Sequence, residues 1–139
     1  MMLGIVAVAV VGVLVGSEFA VAAFFHPIVG RLPDEAFQAA RSASARLLGR
    51  VMPFWYLGSL ALLVIAAALG AGTQRWLIGA GVALMTVVAL MSVTMLVPIN
   101  NRIAAGEVPR PLAERWDRLH RVRVVLLGAV LVLLVVASA

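Results

Sequence analysis

Apolar residues fall along the chain in four long runs, separated by shorter stretches where polar and charged residues collect. A helix crossing a hydrocarbon core of ~30 Å needs about 20 predominantly apolar residues at ~1.5 Å of rise each. The runs therefore predict spanning helices at about residues 2–26, 52–71, 76–98 and 112–138. The first is broken only by Ser17 and Glu18. The charge-free part of the last, Val124 to Ala139, is slightly short for a crossing. That helix is expected to begin upstream near Pro111, a residue suited to a first helical turn, and to carry Trp116, His120 and Arg123 on its entering turns. Residues 34–50 mix Ala, Phe37, Leu47 and Leu48 with Arg41, Arg46 and Arg50, which predicts an amphipathic helix at the interface, started by Pro33-Asp34-Glu35. Gly70 to Arg75 is so short a connection that the second and third helices form an antiparallel hairpin, whereas the polar stretch from Asn100 to Pro111 reads as a true loop. The expected fold class is all-α: one four-helix transmembrane bundle over residues 1–139, with an amphipathic interfacial helix between helices one and two.

Composition adds the solvent and the orientation. With 64% of the chain apolar and 12% charged, the balance is that of a protein dissolved in lipid. The chain has no Lys, and its 11 basic residues are all Arg, gathered almost wholly between the apolar runs. The net charge of +5 is thus a property of loops, and no basic helix or aromatic-basic sheet pattern points to nucleic acid. Loop one carries Arg31, Arg41, Arg46 and Arg50, the third connection and the following turns carry Arg102, Arg110, Arg115, Arg118, Arg121 and Arg123, and the second carries only Arg75. By the positive-inside rule loops one and three are expected in the cytoplasm and both termini outside, in a multi-pass plasma-membrane protein. Met1 to Gly16 lacks the positive flank of a signal peptide and runs on into membrane-type sequence, so it reads as a retained helix. The lack of Cys excludes disulfides, thiolate metal sites, iron–sulfur clusters and thiol catalysis. Expected partners are the bilayer and a small lipophilic substrate, with self-association into a homo-oligomer compatible with the Gly12/Gly16 small-residue pair.

A few polar residues sit where lipid makes them costly. Glu18 lies inside a spanning run and must be neutralised, paired or placed against water. It precedes His26 by eight residues, roughly 12 Å along a helix. Pro98 has no N–H to return to the carbonyl of Thr94, so the third helix is expected to kink or stop there, bringing Asn100, Asn101 and Arg102 together either as a C-terminal cap or turned toward Glu18. Trp116, His120 and Arg123 are spaced to share one stripe of the last helix. Singly each reads as an interfacial anchor or a snorkelling cation. Jointly, Glu18, His26, Asn100, Arg102, Trp116, His120 and Arg123 predict a pocket near the cytoplasmic ends of helices one, three and four. No cofactor is predicted. A metal or haem held through Glu18, His26 and His120 is the alternative, with a spacing that matches no ligand motif.

Gly16-Ser17-Glu18, His26-Pro27, Val97-Pro98-Ile99-Asn100-Asn101, and Trp116 with His120 and Arg123 together resemble the anthrone oxygenase-like family of small four-helix membrane proteins. The resemblance covers nearly the whole chain in layout, and Pro-Ile-Asn-Asn followed by Trp, His and Arg is its most specific part. It implies oxidation of a flat phenolic or quinone-type substrate by O2 without a standard flavin or haem. His120 would be the base, Arg123 and Asn100 would stabilise an oxyanion, Glu18 would be a further catalytic group, and His26, Asn100, Asn101, Arg102 and Trp116 would bind the substrate. Two other classes compete. A small proton-coupled multidrug-type transporter would also place one Glu in helix one, although two long Arg-rich loops argue for a single fixed orientation. A non-catalytic accessory subunit would use Glu18 only to pair with Arg102 or Arg123 and hold the bundle together.

Overall fold

The computed structural model describes residues 2–139 and contains four helices long and apolar enough to cross a membrane: α1 (Met2–Gly30), α2 (Asp34–Leu69), α3 (Gly72–Ala104) and α4 (Arg110–Ser138). They run up and down in a closed ring, with α1 packed on α2 and α4, and α3 packed on α2 and α4. Local signals set the breaks. Asp34 and Glu35 place negative charge on the first turn of α2, and Pro111 lies in the first turn of α4. Gly72 (φ +53°) turns the chain from α2 into α3. Gly106 (φ +96°) ends α3 in the left-handed conformation, its N–H donating to the Ile103 carbonyl at 3.0 Å and that of Glu107 to Arg102 at 3.0 Å.

The outward face is what lipid requires. Phe54, Leu69, Trp76 and Val125 are among many large apolar side chains left exposed, a surface that would aggregate in water and is at home in hydrocarbon. Inside, Val11, Leu14, Leu63, Met85, Val88, Leu127 and Val130 form a fully buried core in the half of the bundle toward the termini. In a bilayer this core holds by close packing rather than by escape from water. A second cluster, including Val29, Phe37, Leu96, Ile103 and Trp116, fills the loop end. There Arg110 ties the two Arg-rich connections together, donating to the carbonyls of Gly30 (3.1 Å) and Leu32 (3.0 Å), pairing with Asp34 and stacking over Phe37.

Two features differ from the expectation. The amphipathic stretch over about 34–50 is helical, and it runs without a break into the second span. The resulting 36-residue helix is ~54 Å long, well over the ~30 Å of a hydrocarbon core. The third helix does not stop at Pro98 but continues to Ala104, with a wide π turn at Ser92–Leu96 just before the proline. Helix α1 repeats the device, with a π turn at Val21–Phe25 just before Pro27. In both, the residue preceding the proline bonds five back, His26 N–H to the Val21 carbonyl and Val97 N–H to that of Ser92. The wider turn gives the proline ring room against the carbonyl it would otherwise strike.

The π turns also reset the helical phase. Residues eight apart on an α-helix are offset by roughly 80°, but one inserted residue reduces the offset to roughly 20°. Glu18 and His26 therefore both face the interior, as do Val88 and Leu96.

At the loop end α2 and α3 approach closely at Gly49, where an added Cβ would stand 2.9 Å from Asn100 Nδ2. Asn100 Nδ2 donates to the Ala45 carbonyl at 3.1 Å. Gly49→Ala is expected to displace this amide and cost about 1 kcal/mol, measured by thermal unfolding in detergent, with Asn100→Ala relieving the clash.

Candidate functional site

One buried polar cluster lies at the level of the π turns. Arg123 Nη2 donates to Glu18 Oε2 at 2.8 Å and contacts His120 Nδ1 at 3.0 Å, and that nitrogen is itself 3.1 Å from Glu18 Oε2. His120 Nε2 lies 3.0 Å from the backbone carbonyl of Glu18. A carbonyl only accepts, so Nε2 carries the hydrogen and Nδ1 is left as the lone pair facing Arg123 and Glu18. Arg123 Nη1 donates to Ser92 Oγ at 3.2 Å, and Ser92 in turn donates to the Val88 carbonyl at 2.8 Å. The guanidinium also lies 5.3 Å from the centre of the Tyr56 ring. Glu18 (4% exposed), His120 (1%) and Arg123 (8%) are thus a carboxylate, an imidazole and a cation removed from water together, with the Arg charge compensating the Glu.

Behind this cluster stands a second one of the same composition. Arg41 grips Asp117 through both guanidinium nitrogens, Nη1 to Oδ2 at 3.2 Å and Nη2 to Oδ1 at 2.9 Å. His26 Nδ1 is 3.1 Å from Asp117 Oδ1 but off the line of a hydrogen bond. Trp116 packs against both clusters, whose histidines also meet edge-on at 6.0 Å. Its ring stacks on His120 at 4.7 Å, meets His26 edge-on at 5.2 Å, and lies 5.7 and 5.8 Å from the guanidiniums of Arg123 and Arg41.

The first cluster forms the polar end of a cavity of about 290 Å³ whose remaining wall is largely apolar, including Val21, Met52, Leu57, Val93 and Leu96. That size is at the lower end of small-molecule pockets, which start at roughly 300 Å³. Tyr56, Trp116 and Arg123 line it; Trp116 Nε1 and Arg123 Nε are buried without a hydrogen-bond partner among the described residues, and the Tyr56 hydroxyl sits beside the Glu18 carboxyl. A polar cluster set against an apolar wall suits a flat ligand with oxygen atoms on one edge.

Of the residues expected from sequence, Glu18, Asn100, Asn101, Trp116, His120 and Arg123 line this cavity. His26 lies one layer back, in a crevice of about 20 Å³ beside Arg41 and Trp116. Arg102 is not brought to the site. Because α3 continues past Pro98 with Ile99 and Ile103 buried, Arg102 points outward, half exposed and paired with Glu107 in the loop. The hydrogen bond from Arg102 holds the Glu107 carboxyl below the usual carboxylate range. Among the described residues no three His, Asp or Glu side chains gather as a metal-ligand set.

Sequence reasoning passed over Tyr56, Ser92, Arg41 and Asp117. Spacing could have found three of them. Tyr56, Ser59, Leu63 and Ala66 step along the inner face of α2, Phe37, Arg41 and Ala45 do so lower down, and Asp117 stands three before His120.

Fold and site together define a multi-pass membrane bundle with a buried Glu–Arg–His cluster on the wall of a lipophilic cavity. The family model for anthrone oxygenase matches residues 45–133, more than half of the chain, and the chain belongs to that family. The matched stretch holds Tyr56, Ser92, Asn100, Trp116, His120 and Arg123, and leaves out Glu18 and all of α1. Comparison with curated proteins gives no match, and comparison with solved structures gives none.

Proposed function

We propose that the protein is an oxygenase that converts the acidic methylene of a lipophilic anthrone-type phenol into a ketone. Each methylene consumes one molecule of O2, one oxygen atom ending in the ketone and the other leaving in water with the two hydrogens of the methylene. The observation that carries this reading is the placement of the Glu18–Arg123–His120 cluster on the wall of a largely apolar cavity that Tyr56 and Trp116 also line. Family membership supplies the substrate class.

Arg123 and His120 contact the Glu18 carboxylate at Oε2, and Glu18 lines the cavity. Glu18 removes a methylene proton, and the C–H electron pair spreads into the ring and its oxygen. Arg123, Tyr56 and Trp116 donate to that oxygen, stabilising the anion in a site where water competes little. The anion passes one electron to O2, and the two radicals combine in a C–O bond. The resulting peroxide oxygen is protonated. Loss of the second C–H proton then drives O–O cleavage, and water leaves with the ketone complete.

His120 has both ring nitrogens engaged, so its part is to orient Glu18 and Arg123. Asn100 gives one amide hydrogen to the Ala45 carbonyl and lines the cavity, and its second amide hydrogen serves as a donor to the substrate oxygen. We place loops one and three in the cytoplasm, following the arginines, and place the protein in the plasma membrane. The test is anthrone consumption and O2 uptake by purified protein in nanodiscs, without added cofactor. Rates above those of protein-free nanodiscs are expected, and equal rates would reject the reading.

A further inference from the structure

The cavity is shut at both ends of the bundle and open on one side. At the loop end, Ser42 Oγ donates to the carbonyls of Ile103 (2.9 Å) and Ala104 (3.3 Å), Arg46 donates to Ala104 at 3.0 Å, and Asn100 donates to Ala45. These bonds stitch α2 to α3 below the cavity, and Trp116 with the Arg41–Asp117 pair fills the space beside them. Toward the termini the fully buried side chains of Leu14, Leu63, Met85 and Leu127 close the bundle.

Between these seals the flank is open. Leu57 of α2 and Val93 of α3 line the cavity, yet each is 65% exposed, and Pro53 and Val97 also line it and are exposed. On each helix the two residues are four apart, one turn, so the opening is ~6 Å high along the bundle. Its rim carries no charge. On the α3 side it is formed by the π turn and the residue that follows, where the backbone departs from regular α geometry.

We propose that this window between α2 and α3 is the route by which substrate passes sideways between the hydrocarbon phase and the cavity, and that the molecule crosses it uncharged. The proposal rests on the reading of the cavity as a substrate site. An apolar rim facing acyl chains asks nothing of a neutral aromatic molecule already dissolved there, whereas an anion would have to lose its hydration before reaching any compensating group. Ionisation therefore follows arrival, at Glu18, where the Arg123 cation stands beside the carboxylate. A substrate carrying a fixed charge, such as a sulfonated anthrone, is accordingly excluded.

Two measurements test it, one of which does not depend on turnover. The chain has no Cys, so Leu57→Cys with Val93→Cys gives a defined thiol pair across the opening. Joining the pair with a short thiol-cleavable bifunctional reagent is expected to lower kcat/KM for anthrone about tenfold or more, and cleavage is expected to restore it. Full activity in the joined form overturns the window. Separately, Trp55→Phe with Trp76→Phe leaves Trp116, on the cavity wall, as the only indole. In vesicles of lipids brominated on their acyl chains its emission is expected to be quenched, and Leu57→Phe with Val93→Phe is expected to remove that quenching. Plug-sensitive quenching with no anthrone oxidation would sink the oxygenase reading and leave the window standing. Oxidation without quenching, or quenching indifferent to the plug, would overturn the window alone.

Discussion

Glu18→Gln is expected to lower O2-dependent anthrone oxidation by about 10² to 10⁴-fold while leaving the bundle folded. The amide keeps the shape of the carboxylate and an oxygen for Arg123, so the contact at 2.8 Å can persist in neutral form. What disappears is the only carboxylate on the cavity wall among the described residues, hence the acceptor for the methylene proton. The check is single-turnover anthrone loss in nanodiscs, with thermal unfolding run alongside. A variant that folds and still turns over at the wild-type rate would remove Glu18 from the chemistry.

The second large effect concerns stability. Arg123→Leu leaves the Glu18 carboxylate buried without its cation, and breaking such a pair from one side costs about 3–5 kcal/mol. Replacing both partners removes the uncompensated charge along with the pair. Glu18→Leu with Arg123→Leu is therefore expected to recover most of that loss in thermal unfolding, since apolar replacements of buried pairs are often neutral. Activity should stay absent in the double variant. If the double variant kept full function in cells, the cluster would be a structural clasp and the protein a non-catalytic subunit. If Arg123→Leu alone were as stable as the wild type, the charges would not be coupled as the 2.8 Å contact indicates.

The fold was legible because lipid imposes a coarse requirement. Runs of about 20 apolar residues are hard to misplace, and the short Gly70–Arg75 connection leaves α2 and α3 little choice but to lie side by side. The site was partly legible for a related reason. One carboxylate within a span is conspicuous, and the three-and-four spacing of Trp116, His120 and Arg123 survives into the structure because α4 is a regular helix throughout.

What stayed hidden depends on phase and on long reach. From Pro98 alone a kink or an end follows, but a π turn upstream satisfies the same steric demand, and sequence spacing does not choose between them. That choice decides which of Asn100, Asn101 and Arg102 face inward, and it sends Arg102 out to Glu107. Arg41 reads from sequence as a loop charge because arginines near a membrane end usually reach for headgroups. Here the first turns of α4 offer Asp117 within 2.9 Å, and the side chain is 3% exposed. A partner 76 positions away on another helix has no signature in local spacing.

Proton removal from carbon by Glu18 inside the cavity is the step on which the chemistry turns, and it can be isolated from oxygen. Anthrone incubated anaerobically in deuterated water with the protein in nanodiscs should exchange its methylene hydrogens faster than in protein-free nanodiscs, as read by mass spectrometry, and Glu18→Gln should abolish the acceleration. Exchange no faster with wild-type protein than without it, or equally fast with the Gln variant, would contradict a catalytic role for this carboxylate.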